Sequence, residues 1–353
     1  MASNEISAIL RDQTDRLLAE HVTRAVLAAA DGGAWPEALW AMVEEAGLPR
    51  AMIAEEKGGA GLAPAEALSL LRRAGYHALP LPLGETMLAN GLWVASGGEP
   101  IAGPATLAPT MAGAAVEITA AGGKTALHGR LTGVPWGERA TLLVLARDAN
   151  GNDHLALLPP PAIPPAQKRN LAGEPRPDLL LDGAIAAAIR PAPPLAKSGM
   201  LALGAALRAQ QMVGAMEHAL DHALTYANER QQFGRPIGRF QAVQHMLAEA
   251  AGQFAAATAA ADGVLAAFAE GDILIAAAMA KARIGEAAGK VAEITHQVHG
   301  AMGFTQEHTL HFLTRRLWSW RDEFGNEAEW QRLIGRRVLA AGGAALWPML
   351  AGV

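Results

Sequence analysis

Four acids, Asp322, Glu323, Glu327 and Glu329, sit among Trp318, Trp320 and Trp330 in the stretch WSWRDEFGNEAEWQRLIGR. A carboxylate pressed against aromatic rings loses hydration, and that is one way proteins tune a general base. Each of the four reads equally as a solvated or helix-capping acid in an arginine-rich turn. A second stretch, NERQQFGRPIGRFQAVQH from Asn228 to His245, carries Gly234, Pro236 and Gly238, which specify an ordered turn. Arg230 closes the helix before it and Gln241 opens the one after. An arginine fork beside the Phe233 ring suits a diphosphate-bearing cofactor, and a helix-capping arginine over a packed ring has the same letters. In a third stretch, HQVHGAMGF, Gly300 and Gly303 let backbone N–H groups come close to a ligand. A glycine helix cap predicts that pattern too.

Other constellations are poorer. His218 and His222 have the i, i+4 spacing of a metal pair, but no acidic third ligand is in register. They read as packing or surface histidines, as do His308 and His311, so no metal is expected. There is no serine-hydrolase elbow, Walker loop or dinucleotide fingerprint, and GGAG at 58–61 does not make one. The absence of cysteine excludes disulfides, thiolate metal sites and cysteine nucleophiles. A net charge of -5 with no basic block argues against nucleic acid. The N-terminus is acidic and lacks an apolar core, and FAAATAAADGVLAAFAE is broken by Asp262. A soluble cytoplasmic protein without a membrane span is expected.

Three segments must position these residues. Residues 1–87 read as a helical domain, with Ile6, Ile9, Leu10, Leu17 and Leu18 at helical spacing and proline at two plausible helix starts, Pro36 and Pro64. Residues 88–196 are rich in glycine and proline around strand-like AAVEIT, TALHG, ATLLVLA and HLALL, with PPPAIPPAQKR as a loop. Residues 197–353 return to long helices. Leu203, Leu207, Met216, Leu220 and Leu224 share one face of the first, and Leu310, Leu313, Leu317 and Trp320 keep three-four spacing in a later one. The expected fold class is α+β but mainly helical: an N-terminal helical domain, a small middle β domain and a C-terminal four-helix bundle.

In that order, RQQFGRPIGRFQAVQHMLAE, QVHGAMGF and QRLIGR resemble three motifs of the acyl-CoA dehydrogenase family, and the likeness runs along nearly the whole chain. AEEKGGAGL resembles the family's N-terminal loop without its usual proline. The resemblance implies FAD bound across a subunit interface. Arg230 and Phe233 would meet the flavin cofactor of a neighbouring subunit, with Gln241 nearby, while Gln297, Gly300 and Ala301 would line its ADP portion. It further implies an acyl-CoA substrate, a homodimer, homotetramer or hetero-oligomer with a homologous subunit, and an electron-transferring flavoprotein as acceptor.

The chain departs from the family in two places. The middle-domain signatures that bracket the flavin ring are not recognisable in PATLAPTMAGAAVEIT, and in GKTALHGRLTGVPWGERATLLVLA only Trp136 suggests a place near the flavin. The family's proton-abstracting glutamate falls on Gly325, with Phe324 in place of its preceding tyrosine. The alternative base position on the first bundle helix falls near Gly204, where Arg208 is the nearest charge. A glycine retains the backbone N–H that polarises the thioester carbonyl in the family. Glu323 is then the candidate for a displaced base, beside Asp322 and Glu327. Two functions follow: an acyl-CoA dehydrogenase or one subunit of a mixed oligomer, or a family-derived scaffold subunit without chemistry.

Overall fold

The computed structural model describes residues 2–110, 116–121, 123–161 and 168–351. Six helices come first: α1 (Ala2–His21), α2 (Arg24–Asp31), α3 (Glu37–Glu45), α4 (Pro64–Ser69), α5 (Leu71–Tyr76) and α6 (Leu83–Ala95). Pro64 opens its helix, whereas Pro36 caps α3 from just outside. α6 continues well past residue 87, and the first strand begins at Ala105.

The middle strands are β1 (Ala105–Leu107), β2 (Val116–Ala121), β3 (Lys124–Leu131), β4 (Thr141–Arg147), β5 (Asp153–Leu158), β6 (Leu179–Ile185) and β7 (Ala188–Pro191). They form a seven-stranded sheet in the order β6-β3-β2-β4-β5-β7, with β1 also on β4. β1 and β2 run parallel to β4 and the other pairs are antiparallel. Leu127, Leu131, Leu142 and Val144 build a small core of their own. Most of PPPAIPPAQKR lies outside the described residues.

The C-terminal part consists of α7 (Met200–Glu229), the hairpin β8 (Gln231–Gln232) and β9 (Arg235–Pro236), α8 (Gln241–Ala267), α9 (Leu274–His299), α10 (Leu310–Asp322), α11 (Glu327–Ala341) and α12 (Leu346–Ala351). α7 is the axis of the molecule, packed by α5, α8, α9 and α10. Its alanine and glycine content permits this. A Cβ on Gly75 would stand 1.9 Å from Gln211 O, and one on Gly214 would stand 1.8 Å from Arg72 O, so α5 and α7 meet backbone to backbone. Leu203, Leu207, Met216 and Leu220 are buried as their spacing implies, but Leu224 is exposed near the open end. The mainly helical α+β architecture expected from the sequence is the one observed. No described helix is long and apolar enough to cross a membrane.

Candidate active site

The turn between α10 and α11 is fixed from both sides. Asn326 caps α11 by accepting from the Glu329 N–H at 3.0 Å, and the Glu329 carboxylate accepts from the Asn326 N–H at 2.9 Å. Phe324 and Gly325 both take left-handed backbone, with φ 53° and 89°. Their carbonyls are held inward. Phe324 O accepts from the Trp330 indole N–H at 3.1 Å, and Gly325 O accepts from Lys281 Nζ at 2.9 Å. Lys281 also donates to Arg321 O at 2.6 Å. Burial pulls the Lys281 pKa down to about 7, against the opposing pull of Glu327 and Glu323.

Glu323 turns inward from this turn and meets two guanidinium groups. Arg176 grips it in a fork, Nε to Oε1 at 2.8 Å and Nη2 to Oε2 at 3.0 Å. Arg208 Nε donates to Oε2 at 2.9 Å and Asn170 Nδ2 to Oε1 at 2.8 Å. Burial by itself would raise this carboxyl's pKa. The charges of Arg176 and Arg208, with these hydrogen bonds, reverse that and hold it at about 2. So weak a base, its lone pairs already engaged, is poorly suited to pull a proton from carbon. The geometry therefore runs against the displaced-base role that its sequence position suggested.

The same groups continue as a buried chain of alternating charge: Glu85, Arg208, Glu323, Arg176, Glu174 and Arg316. Arg208 Nη2 reaches Glu85 at 2.5 Å, and Arg176 Nη2 reaches Glu174 at 2.7 Å. Arg316 Nε stands 3.2 Å from Glu174, near enough for ion pairing but misaligned for a hydrogen bond. Asn170 clamps the loop that brings Glu174 and Arg176, accepting from the Ala172 and Glu174 N–H groups at 3.0 Å each. The chain begins on α6, passes through the loop before β6 and ends on α10, so it ties the helical and β parts together.

Both places where a base was sought are filled. A Cβ at Gly325 would lie 2.6 Å from Trp330 Nε1, and a Cβ at Gly204 would lie 2.0 Å from the Phe324 ring. An aromatic ring closes each position, Phe324 at Gly204 and Trp330 at Gly325. Of the other acids, Glu327 pairs with Arg321, while Asp322 lines the adjoining cavity. That cavity holds about 920 Å³ between the β region and the bundle, with Trp318, Phe324, Trp330 and Leu333 among its walls and Gly325 at its edge. Trp136 is not in its lining. It is buried against Trp35, with ring centroids 5.7 Å apart.

The remaining candidates gather at the far end of the bundle. Arg230 caps α7 and Gly300 caps α9. Tyr226, in the last turn of α7, stacks on His299, in the last turn of α9, with centroids 4.7 Å apart, so the two caps belong to one end. Phe233 has φ 52° and is 92% exposed, touching only the edge of Phe240 at 6.1 Å between centroids. Gln241, Gln297 and Ala301 are exposed. Gly300 has φ 60° and nothing within 4 Å of where a Cβ would stand. His218 and His222 stack on each other at 4.4 Å, and among the described residues no three His, Asp or Glu side chains are grouped to hold a metal ion.

Two descriptions of one family match the chain: acyl-CoA dehydrogenase N-terminal domain over residues 4–100 and C-terminal domain over residues 194–339. The chain belongs to the acyl-CoA dehydrogenase family. It is similar to the acyl-CoA dehydrogenase IpdE2 of Mycobacterium tuberculosis, 29% identical over 320 residues, covering 90% of this chain and 92% of that one. It is similar over a shorter stretch to the 3-sulfinopropanoyl-CoA desulfinase of Paraburkholderia xenovorans, 42% identical over 103 residues, covering 29% and 26% of the two chains. Among solved structures, a steroid ACAD, Tcur3481–Tcur3483, superposes with TM-score 0.83 at 27% identity over 97% of this chain and 99% of that one. The ChsE4–ChsE5 complex of Mycobacterium tuberculosis shares the fold, with TM-score 0.83 at 24% identity over 96% and 98%.

Members of this family are FAD-dependent flavoproteins. An exposed guanidinium, an exposed aromatic ring and an unobstructed left-handed glycine at one end of the bundle fit the edge of such a cofactor. Sequence reading missed Glu85, Asn170, Glu174, Arg176 and Lys281 altogether. One signal was available: Arg208 is a lone charge in MLALGAALRAQQ, and a charge inside an apolar helix face requires a buried partner.

Proposed function

We propose that the chain is one subunit of a flavin-dependent acyl-CoA dehydrogenase, lending FAD contacts to a homologous partner chain that supplies the proton-abstracting base. The reaction is α,β-dehydrogenation of an acyl-CoA thioester. The observation that carries this reading is the contrast at the α10–α11 turn. The position of the family's glutamate is Gly325, packed against Trp330, and the nearest acid is locked between two arginines. The flavin-facing end of the bundle, by contrast, stays open. Relatives in this fold include a complex of two named chains, ChsE4–ChsE5, which supports a mixed assembly.

In this reading Arg230 holds a diphosphate oxygen, Phe233 covers the cofactor's edge, and Gln241 borders it. Gln297, Gly300 and Ala301 line its ADP portion, where Gly300 permits close backbone approach. Bound FAD supplies the hydride acceptor, with an electron-transferring flavoprotein downstream. At the chain's own cavity, the Gly325 N–H polarises a thioester carbonyl, and Lys281 fixes that peptide by holding Gly325 O. Trp318 and Trp330 exclude water from the acyl group. No residue of this chain takes the α-proton.

The test is reconstitution. The purified chain, alone and mixed with a co-encoded homologue, is assayed with assorted acyl-CoAs and a phenazine-type acceptor while its flavin absorbance is recorded. Activity and yellow colour only in the mixture support the proposal. Turnover by the isolated chain refutes it. Colourless protein that never acquires flavin, alone or mixed, would favour the second reading, a non-catalytic scaffold subunit, which the rings closing Gly204 and Gly325 also suit.

A further inference from the structure

A row of rings crosses the open end of the bundle. His218 and His222 of α7, His308 just before α10 and His299 of α9 touch in that order, with centroids 4.4, 5.4 and 4.6 Å apart. Tyr76 of α5 stacks on the first at 4.2 Å and Tyr226 of α7 on the last at 4.7 Å. Backbone groups fix the protons of three of these imidazoles. His218 Nδ1 donates to Tyr76 O at 2.6 Å, and His299 Nδ1 donates to Thr295 O at 2.7 Å. His308 Nδ1 accepts from the Leu310 N–H at 3.1 Å and so serves the first turn of α10. His299 Nε2 is buried and has no partner among the described residues.

The same imidazoles hold residues 300–309, which join α9 to α10. Phe304 stacks on His296 at 4.6 Å, and Thr309 Oγ1 stands 3.3 Å from His222 Nε2. His311 Nδ1 donates to His308 O at 2.7 Å. Among the described residues, the side-chain hydrogen bonds and ring contacts that tie this segment to its surroundings all involve an imidazole, except Arg24 on Gln306 O at 3.0 Å. The charges facing the row offer little to a proton. His222 meets His218, His308 and His299, while His308 meets His299, His311 and His296. On the α5 side His218 meets His77 and Arg73, with Asp221 as its acid; Asp15 is taken by His77 and Arg73, and Glu217 faces Arg73. Glu307, on the segment itself, is exposed. Burial comes first among the causes that hold His218, His222, His299 and His308 below the usual imidazole range.

We infer that this histidine row is an acid-operated latch on residues 300–309, whose protonation frees the segment from the bundle end while the rest of the chain stays folded. A proton on His308 Nδ1 ends its bond to the Leu310 N–H. One on His299 Nε2 is buried with no acceptor, and charged neighbours in the row repel each other. The freed imidazoles regain an ordinary pKa near 6.5. Below that pH the open form binds protons that the docked form does not, so opening becomes easier by up to about tenfold per pH unit for each imidazole released. Above it the latch is shut. The latch belongs to this chain alone and stands apart from the proposed assembly.

Amide hydrogen exchange of the full chain, read by peptide and divided by the intrinsic rate at each pH, tests this between pH 7 and 5. Protection across residues 300–312 should fall by about tenfold or more per pH unit below 6.5, while the amides of β4 keep theirs. In H222Q/H308Q the fall should be much shallower, because two of the titrating rings are gone. Constant protection of the wild-type segment from pH 7 to 5 overturns the latch. So does a loss that runs in parallel in β4, which is global unfolding, or a fall of full size in the double variant. The wild-type series and the single variant His222→Gln decide the matter where the double variant does not fold. No flavin or turnover is read, so failure here is distinct from failure of the proposed function.

Discussion

The α10–α11 turn and the open end of the bundle are the two places to which the proposed function assigns ligand, and this chain fills one and leaves the other bare. At the turn, Phe324 covers Gly204, Trp330 covers Gly325, and Glu323 is neutralised by two arginines inside a six-member ion chain. At the open end, Phe233 holds a left-handed backbone with its ring in solvent, and Gly300 faces empty space. A filled, charge-matched interior contributes to stability. An exposed ring on a strained backbone contributes little to the isolated chain, and in the proposed function it is the surface on which the cofactor docks.

If that division is right, the largest effect on folding comes from breaking the ion chain. Arg208→Met leaves Glu85 and Glu323 buried with one cation fewer, and removing one partner of a buried pair costs about 3–5 kcal/mol. Denaturant unfolding should show the midpoint falling by that amount. A loss under 1 kcal/mol would mean the chain of charges is less tightly desolvated than its geometry shows. Next in size is Gly204→Ala, whose methyl group collides with Phe324; overpacking of this kind costs about 1–3 kcal/mol. Adding Phe324→Ala should remove that collision, so the double variant loses less than the sum of the singles.

The open end should behave in the opposite way. Phe233→Gly relieves a left-handed non-glycine backbone, so the isolated chain should gain stability or stay within about 1 kcal/mol of wild type. Flavin retention by the assembled protein should nevertheless drop. Equal flavin content in variant and wild type, read by absorbance after gel filtration, would remove Phe233 from the proposed cofactor contacts.

The two regions were also unequally legible in the sequence. The open end was readable because its letters are local: Arg230, Gly234 and Gly300 are constrained by turn and cap geometry that short stretches encode. Helix faces were readable for the same reason, except at Leu224, where periodicity could not tell that the bundle end is uncovered. The filled turn was not readable. Glu323 pairs with residues 115 and 147 positions away, and no spacing rule reports a contact between distant segments. Glu174 and Arg176 lie in a segment that reads as ordinary loop, so their burial is fixed only when the β region docks on α10.

Acid sensitivity separates the interior ion chain from a third, half-buried group, the stacked histidines His218 and His222 near the open end. Burial, reinforced by His218, His308 and His299, pulls the His222 pKa down to about 3 from 6.5. The folded chain therefore binds fewer protons than the unfolded chain below pH 6.5. The histidine contribution to stability is complete above that pH and is lost as pH falls from 6.5 through about 3. Glu323, held at about 2 against 4.5, contributes fully above pH 4.5 and loses that contribution as pH falls from 4.5 through about 2. Between pH 6.5 and 4.5 the histidines respond and Glu323 does not. Urea unfolding across that window should show stability falling with acidification by up to about 1.4 kcal/mol per pH unit for each proton taken up. His222→Gln keeps a polar side chain of similar length and should flatten the slope. An unchanged slope would mean that the stacked imidazoles at 4.4 Å do not control acid stability and that the response in this window comes from elsewhere.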